Sequence, residues 1–258
     1  NVESSYLVCT HGDGVLFFAD AGQMLRTYVN EEVIRVKEYV TLEMLENSPN
    51  GWALREIKNY STVSSLPQYK DENKGRDITQ DDIDELNRVL NLYEINTPNR
   101  IAHFLAQGHV ETGGGFAIVE RYEGNDIFEY FREYETTKAA ELGNTQKGDG
   151  AKYRGAGIIQ MTGRAAYKAF SEYMKDPKIL EDGALYVGQN YFWEAGAYYW
   201  SVYKPSTRSD DNYNLNILCD DNASVEDITE IVTSERMDKI AERKEAYAYY
   251  IGELNRGN

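Results

Sequence analysis

The sequence predicts an α+β domain, mainly helical, with a small β-sheet and a small N-terminal β-containing extension. Three observations carry that class. After residue 77, apolar side chains recur at helical spacing behind N-cap signals, as in Thr79-Gln80-Asp81-Asp82 followed by Ile83, Leu86, Leu90 and Tyr93. Near the N-terminus, Tyr6-Leu7-Val8-Cys9 and Val15-Leu16-Phe17-Phe18 flank an Asp-Gly turn and read as a β-hairpin. Inside a glycine-dense segment, Ile158-Ile159-Gln160-Met161-Thr162 reads as a buried strand of a small sheet, with odd positions inward and Gln160 and Thr162 outward.

In chain order, residues 1–76 read as an extension and linker, and 77–258 as the helical domain. A short helix is predicted over 41–47. From 48 to 75 the composition turns to Ser, Asn, Pro, Lys and Asp without periodicity, as in a connection. The Thr79 capping box opens one helix, and Thr97-Pro98, an N-cap followed by proline, opens the next, which ends near Glu111. Residues 113–148 are polar, irregular and rich in aromatics, an excursion of the kind that carries function on a rigid frame. Helices follow over about 164–174 and 185–203. Ser224-Val225-Glu226-Asp227 caps another, and a last one spans about 235–254.

Composition narrows the partners. The 258 residues, 41% hydrophobic and 27% charged, suit one large domain or one domain with a small appendage, expected as a monomer. No apolar run reaches the length of a membrane span. A net charge of −16 disfavours phosphate backbones, so nucleic acid is not an expected partner. Cys9 and Cys219 either pair or stay free; a domain of this size needs no staple, and they fit no zinc spacing. His103 and His109, six apart, do not share a helix face, and no metal site is expected. The N-terminus lacks Met, a basic start and an apolar core. It reads as a mature or excised fragment, with any targeting segment out of view.

The chemistry concentrates at Glu111, which follows the apolar run Ile101–Gln107 and precedes three glycines. A carboxylate at a helix C-terminus meets the unfavourable end of the dipole, so helix stability does not explain it. Partial burial would disfavour the charged form of such a group and suit it to donate a proton. Nearby, Tyr122, Tyr130 and Tyr134 are candidates for ligand contact, whereas Trp193 and Trp200, seven apart on one helix face, read as core.

Together the segments resemble glycoside hydrolase family nineteen, the chitinases and endolysins of the lysozyme-like superfamily, over about residues 77–254. Four landmarks carry the resemblance: Leu86–Leu90 through Gln107; Glu111-Thr112-Gly113-Gly114-Gly115; Leu142–Gly150 running into Tyr153-Arg154-Gly155-Ala156-Gly157-Ile158-Ile159-Gln160-Met161-Thr162-Gly163-Arg164; and Glu242-Arg243 before Tyr247. The resemblance implies a lysozyme-like fold and hydrolysis without a cofactor. It implies inversion by two carboxylates, with Glu111 as general acid and Glu120 as base; Glu133 stays open as the alternative base. Inversion asks for carboxyls about 6.5–9.5 Å apart, leaving room for water. The resemblance further implies Gln160, Tyr153, Tyr122 and Arg243 as substrate-binding residues, and Thr162 as the hydroxyl that holds the attacking water.

Departures from the family pattern bear on the substrate. Val110 stands where the family commonly has histidine, Ala156 where it has arginine, Ala166 where it has asparagine, and Thr233-Ser234-Glu235 where it has Asn-Gly-Gly. The proton-transfer residues survive and much of the sugar-contacting shell differs. Peptidoglycan is therefore the expected substrate and chitin the alternative, with the chain working outside the cell or delivered to the wall or periplasm. A glycan-binding module without turnover and a spike or baseplate component are further readings. Ser5–Gly14 resembles segments that follow PAAR-like spike modules, which implies a piece of a larger injection-system or phage-tail protein; a plain hairpin extension is the other reading.

Overall fold

The computed structural model describes residues 9–11, 14–16, 36–54, 76–115, 117–203, 214–233 and 237–256, the first two segments by backbone alone. Strands β1 (Cys9–His11) and β2 (Gly14–Leu16) pair antiparallel with Cys9 opposite Leu16, which is the predicted hairpin. The remainder of the N-terminal stretch, residues 55–75 and the predicted helix start at Glu235 lie outside the described residues. Helix α1 (Leu42–Glu46) starts at Thr41, whose hydroxyl accepts from the Met44 amide. Strands β3 (Ala53–Leu54) and β4 (Arg76–Asp77) form a second antiparallel pair.

Two helices then build the frame. In α2 (Gln80–Leu92) the predicted capping box forms, with the Thr79 amide donating to Asp82 at 2.8 Å. In α3 (Pro98–Thr112) the Thr97 hydroxyl accepts from Arg100 N and proline takes the first position. Gly113, at φ 60°, ends it in the left-handed region that favours glycine. The excursion that follows contains three single turns, α4 (Ile127–Tyr130), α5 (Arg132–Glu135) and α6 (Ala139–Leu142).

Next come α7 (Asp149–Lys152), α8 (Arg164–Met174) and α9 (Lys178–Asp182). They are followed by α10 (Ala184–Asn190), α11 (Phe192–Ser201) and α12 (Leu215–Asp220). Helices α13 (Val225–Val232), with its Ser224–Asp227 capping box, and α14 (Ile240–Arg256) close the chain. Every residue of α3 from Ile101 to Val110 is buried, and its largest partner is α14. On α12, Cys219 is a free, buried thiol, and burial with the Asp220 charge beside it pushes its pKa up to about 12.

Three expectations are corrected. The single helix over 185–203 is broken at Tyr191, whose backbone leaves helical geometry while its hydroxyl, like that of Tyr186, donates to Asp176 at 2.8 Å. Val40, Leu45, Trp52 and Leu54 join the core of the helical domain, so residues 36–54 belong to it rather than to a separate extension. Trp52 meets Trp193 at 5.4 Å, and its indole donates to Tyr250. Residues 158–162 form no strand. Gly157 to Gln160 make a tight turn, with Ala156 bridging both Val119 and Met161. Three apolar side chains still point inward, and Gln160 is left at φ 56°.

That turn is locked by packing. A Cβ on Gly108 of α3 would lie 2.2 Å from Ile158 Cγ1, and one on Gly196 of α11 would lie 2.2 Å from Ile158 Cγ2. Ile158 therefore fills a slot that exists because both helices carry glycine there. Gly108→Ala is expected to cost about 1–3 kcal/mol by overpacking, read as a lowered midpoint in urea. Ile158→Ala in the same background should recover part of the loss, because the two sites share one space.

Both α3 histidines are buried. Burial pushes His103 down to about 4, against a partial offset from the backbone of Ala223, and it lowers His109 in the same way. The unfolded chain thus takes up these protons first as pH falls, so stability is complete above about pH 6.5 and declines toward pH 4. Between pH 7 and 5 the unfolding free energy should drop by about 1–2 kcal/mol from His103 alone, and His103→Gln should remove that share.

Candidate active site

A cleft of about 550 Å³ has both Glu111 and Glu120 in its lining, together with Tyr134, Gln160, Thr162 and Arg243. The two carboxylates come from different elements. Glu111 sits in the last turn of α3, and Glu120 lies beyond the glycines that end that helix.

Glu111 does not stand in the bare apolar pocket suggested by its neighbours. Its Oε1 accepts from Arg243 Nη2 at 2.5 Å, with the arginine side chain 3% exposed and the glutamate 22%. Arg243 is spent on structure at its other nitrogens: Nη1 donates to Gln107 Oε1 and Nε to the Asp238 carbonyl. Gln107, fully buried, donates in turn to the Thr229 hydroxyl of α13 at 2.9 Å. A chain of bonds through α13, α3 and α14 thus fixes this carboxylate, and the cation of α14 offsets the unfavourable dipole end of α3. Arg243, expected to bind substrate, lines the cleft and holds Glu111 through one of its nitrogens.

Glu120 is held as an acceptor. Tyr134 Oη donates to Oε1 and Gly155 N to Oε2, each at 2.9 Å. Its backbone is pinned on both sides, N–H to the Gly155 carbonyl at 2.7 Å and C=O to Arg154 Nε at 2.7 Å. Behind Glu120, Arg154 is fully buried, donates to the Ala151 carbonyl and lies over the Phe131 ring at 5.6 Å. Burial drives its guanidinium down to about 10, partly opposed by Tyr167 and the Glu120 charge.

Gln160 and Thr162 both line the cleft, as expected, although a turn rather than a strand presents them. The Gln160 amide nitrogen is committed to the carbonyls of Ala117 and Gly157, at 2.8 and 2.9 Å. The Thr162 hydroxyl donates to the Gln160 carbonyl at 2.8 Å, which leaves its oxygen as an acceptor.

Tyr153 and Tyr122 are corrected: neither lines the cleft. Tyr153 is 1% exposed, with its hydroxyl on the Leu180 carbonyl and its ring against Tyr167. Tyr122 is buried beside Ile127, Phe131 and Ala151 in a small core under the excursion. Large rings flanked by apolar neighbours gain more from that burial than from facing water. Glu133 is exposed on α5, pairs with Lys138 at 3.3 Å and lies outside the cleft lining, so of the two base candidates only Glu120 shares a cleft with Glu111. Gln107 escaped notice in the sequence. Its signal was a polar side chain one helical turn before Glu111 within an apolar run, where a buried amide demands a partner.

No family model and no curated protein matches the sequence. Solved structures do match by fold. Chitinase C from Streptomyces griseus aligns at 20% identity and a TM-score of 0.52, over 84% of this chain and 93% of that one. A mutant of chitinase C aligns at 18% identity and a TM-score of 0.53 over the same shares, 84% and 93%. A bacterial family 19 chitinase aligns over 66% of this chain and 85% of its own, at 20% identity and a TM-score of 0.48. The fold is that of a chitinase. The mainly helical α+β class expected from the sequence is met.

Removing the guanidinium tests the positioning network. Arg243→Met should cost on the order of 3 kcal/mol in denaturant unfolding, since it strands the Glu111 carboxylate and the Gln107 carbonyl. Adding Glu111→Gln should restore part of that loss, because no charge is then left unpaired.

Proposed function

We propose that the chain is a glycoside hydrolase that cleaves β-1,4 bonds between N-acetylated amino sugars, with peptidoglycan as substrate. The observation that carries this reading is the sharing of one cleft by two carboxylates, Glu111 held by Arg243 and Glu120 by Tyr134 and the Gly155 amide. Glu111 gives a proton to the glycosidic oxygen. Arg243 then receives the carboxylate that this transfer creates. Water attacks the anomeric carbon from the opposite face and loses its proton to Glu120, while the Thr162 oxygen orients that water. The anomeric centre is inverted, no covalent intermediate forms and no cofactor is needed.

The missing sugar-contact residues favour peptidoglycan. Ala156 and Ala166 are buried, so at the two positions where the family carries an arginine and an asparagine this chain offers no polar group. Action on a wall polymer requires the chain to reach the cell wall or periplasm, alone or as part of an injection-system or phage-tail protein. Chitin is the second reading, favoured by the structural neighbours, which are named chitinases.

Mass spectrometry of the reducing ends released from purified peptidoglycan and from chitin separates the two substrates. On the preferred one, Glu111→Gln and Glu120→Gln should each lower the rate about 10²–10⁴-fold with the fold intact. Lysis that survives Glu111→Gln would remove it as the acid.

A further inference from the structure

The tyrosines at the end of α11 take no part in the proton transfers just described, yet they line the same cleft. Tyr199 and Tyr203 lie one helical turn apart, their rings 5.6 Å from each other at 34°, and both are half-buried. Tyr203 also packs on Tyr198 at 5.9 Å. Tyr198 is buried against Phe170 at 5.0 Å and Tyr173 at 4.9 Å, both on α8, and Tyr173 reaches Tyr93 at 6.3 Å. A ladder of rings therefore runs from the end of α2 through α8 and α11 and stops at the cleft. Ile231 and Val232, at the close of α13, line the cleft as well.

A pyranose ring has an apolar face of C–H bonds and a polar rim of hydroxyls. It needs a flat, polarisable surface that stays in place and leaves the rim to water or polar groups. Tyrosines suit that task because they offer contact area with few rotatable bonds. Here the ring behind Tyr203 is already fixed by the core, so little freedom remains to be lost on binding. We propose that Tyr199 and Tyr203 form a sugar-stacking subsite of this cleft, receiving the apolar face of an amino-sugar ring of the glycan strand. The inference rests on the glycan-cleft reading above and adds residues that the proton-transfer chemistry does not require.

Binding rather than turnover tests it. In a Glu111→Gln background, retention on purified insoluble peptidoglycan and on chitin would be measured for the parent and for ring variants. Tyr199→Ala and Tyr203→Ala should each bind about 3- to 10-fold more weakly, while Tyr203→Phe binds like the parent. Tyr203→Leu, which keeps bulk without a π face, should behave like the alanine variant and decides the matter if that variant does not fold. Unchanged retention in the alanine and leucine variants overturns the subsite, as does a parent that binds neither polymer. Ring-dependent binding with no hydrolysis by the native chain would keep the subsite and remove the hydrolase reading. Hydrolysis with ring-independent binding would do the reverse.

Discussion

A guanidinium taken almost entirely out of water must have its donors met, and that requirement organises one half of the cleft. Arg243 reaches a carboxylate, an amide oxygen and a main-chain carbonyl from three parts of the chain. An unpaired cation at that depth would cost several kcal/mol, so the surrounding elements are obliged to converge on it. The convergence places Glu111 with little freedom to wander, which is what a proton donor needs if its oxygen must meet a particular glycosidic oxygen.

The other half of the cleft is arranged by backbone rather than by charge. Glu120 is fixed through Gly155 in both directions, and the same segment turns at Gly157 to send Ile158 between α3 and α11. A shift of that turn would therefore be felt at Glu120 and at the helix that carries Glu111. The two carboxylates belong to one mechanical unit.

Much of this was legible in the residues alone. The caps at Thr79, Thr97 and Ser224 mark helix starts because their side chains satisfy amides that no helix can satisfy internally. The apolar run ending at Glu111 and the glycine-dense segment both lead to residues that line one cleft. What the pattern did not carry was three-dimensional competition. An alternation of apolar and polar residues over 158–162 fits a strand and a tight turn equally, and the slot between Gly108 and Gly196 decides for the turn. Tyr153 and Tyr122 carry the right chemistry for sugar, but the apolar rings and side chains around them claim their surfaces. Trp52 lies in a stretch without periodicity, so its place in the core depends on partners far along the chain, Trp193 and Tyr250.

The buried thiol of α12 has a practical corollary. Nucleophilic attack on an electrophile needs the thiolate, and a thiol raised to about 12 and shut away from solvent scarcely forms one at neutral pH. Cys219 should then be silent toward alkylating reagents in the closed fold and become reactive when α12 lifts away. Its labelling rate would serve as a built-in clock for how often this part of the molecule opens.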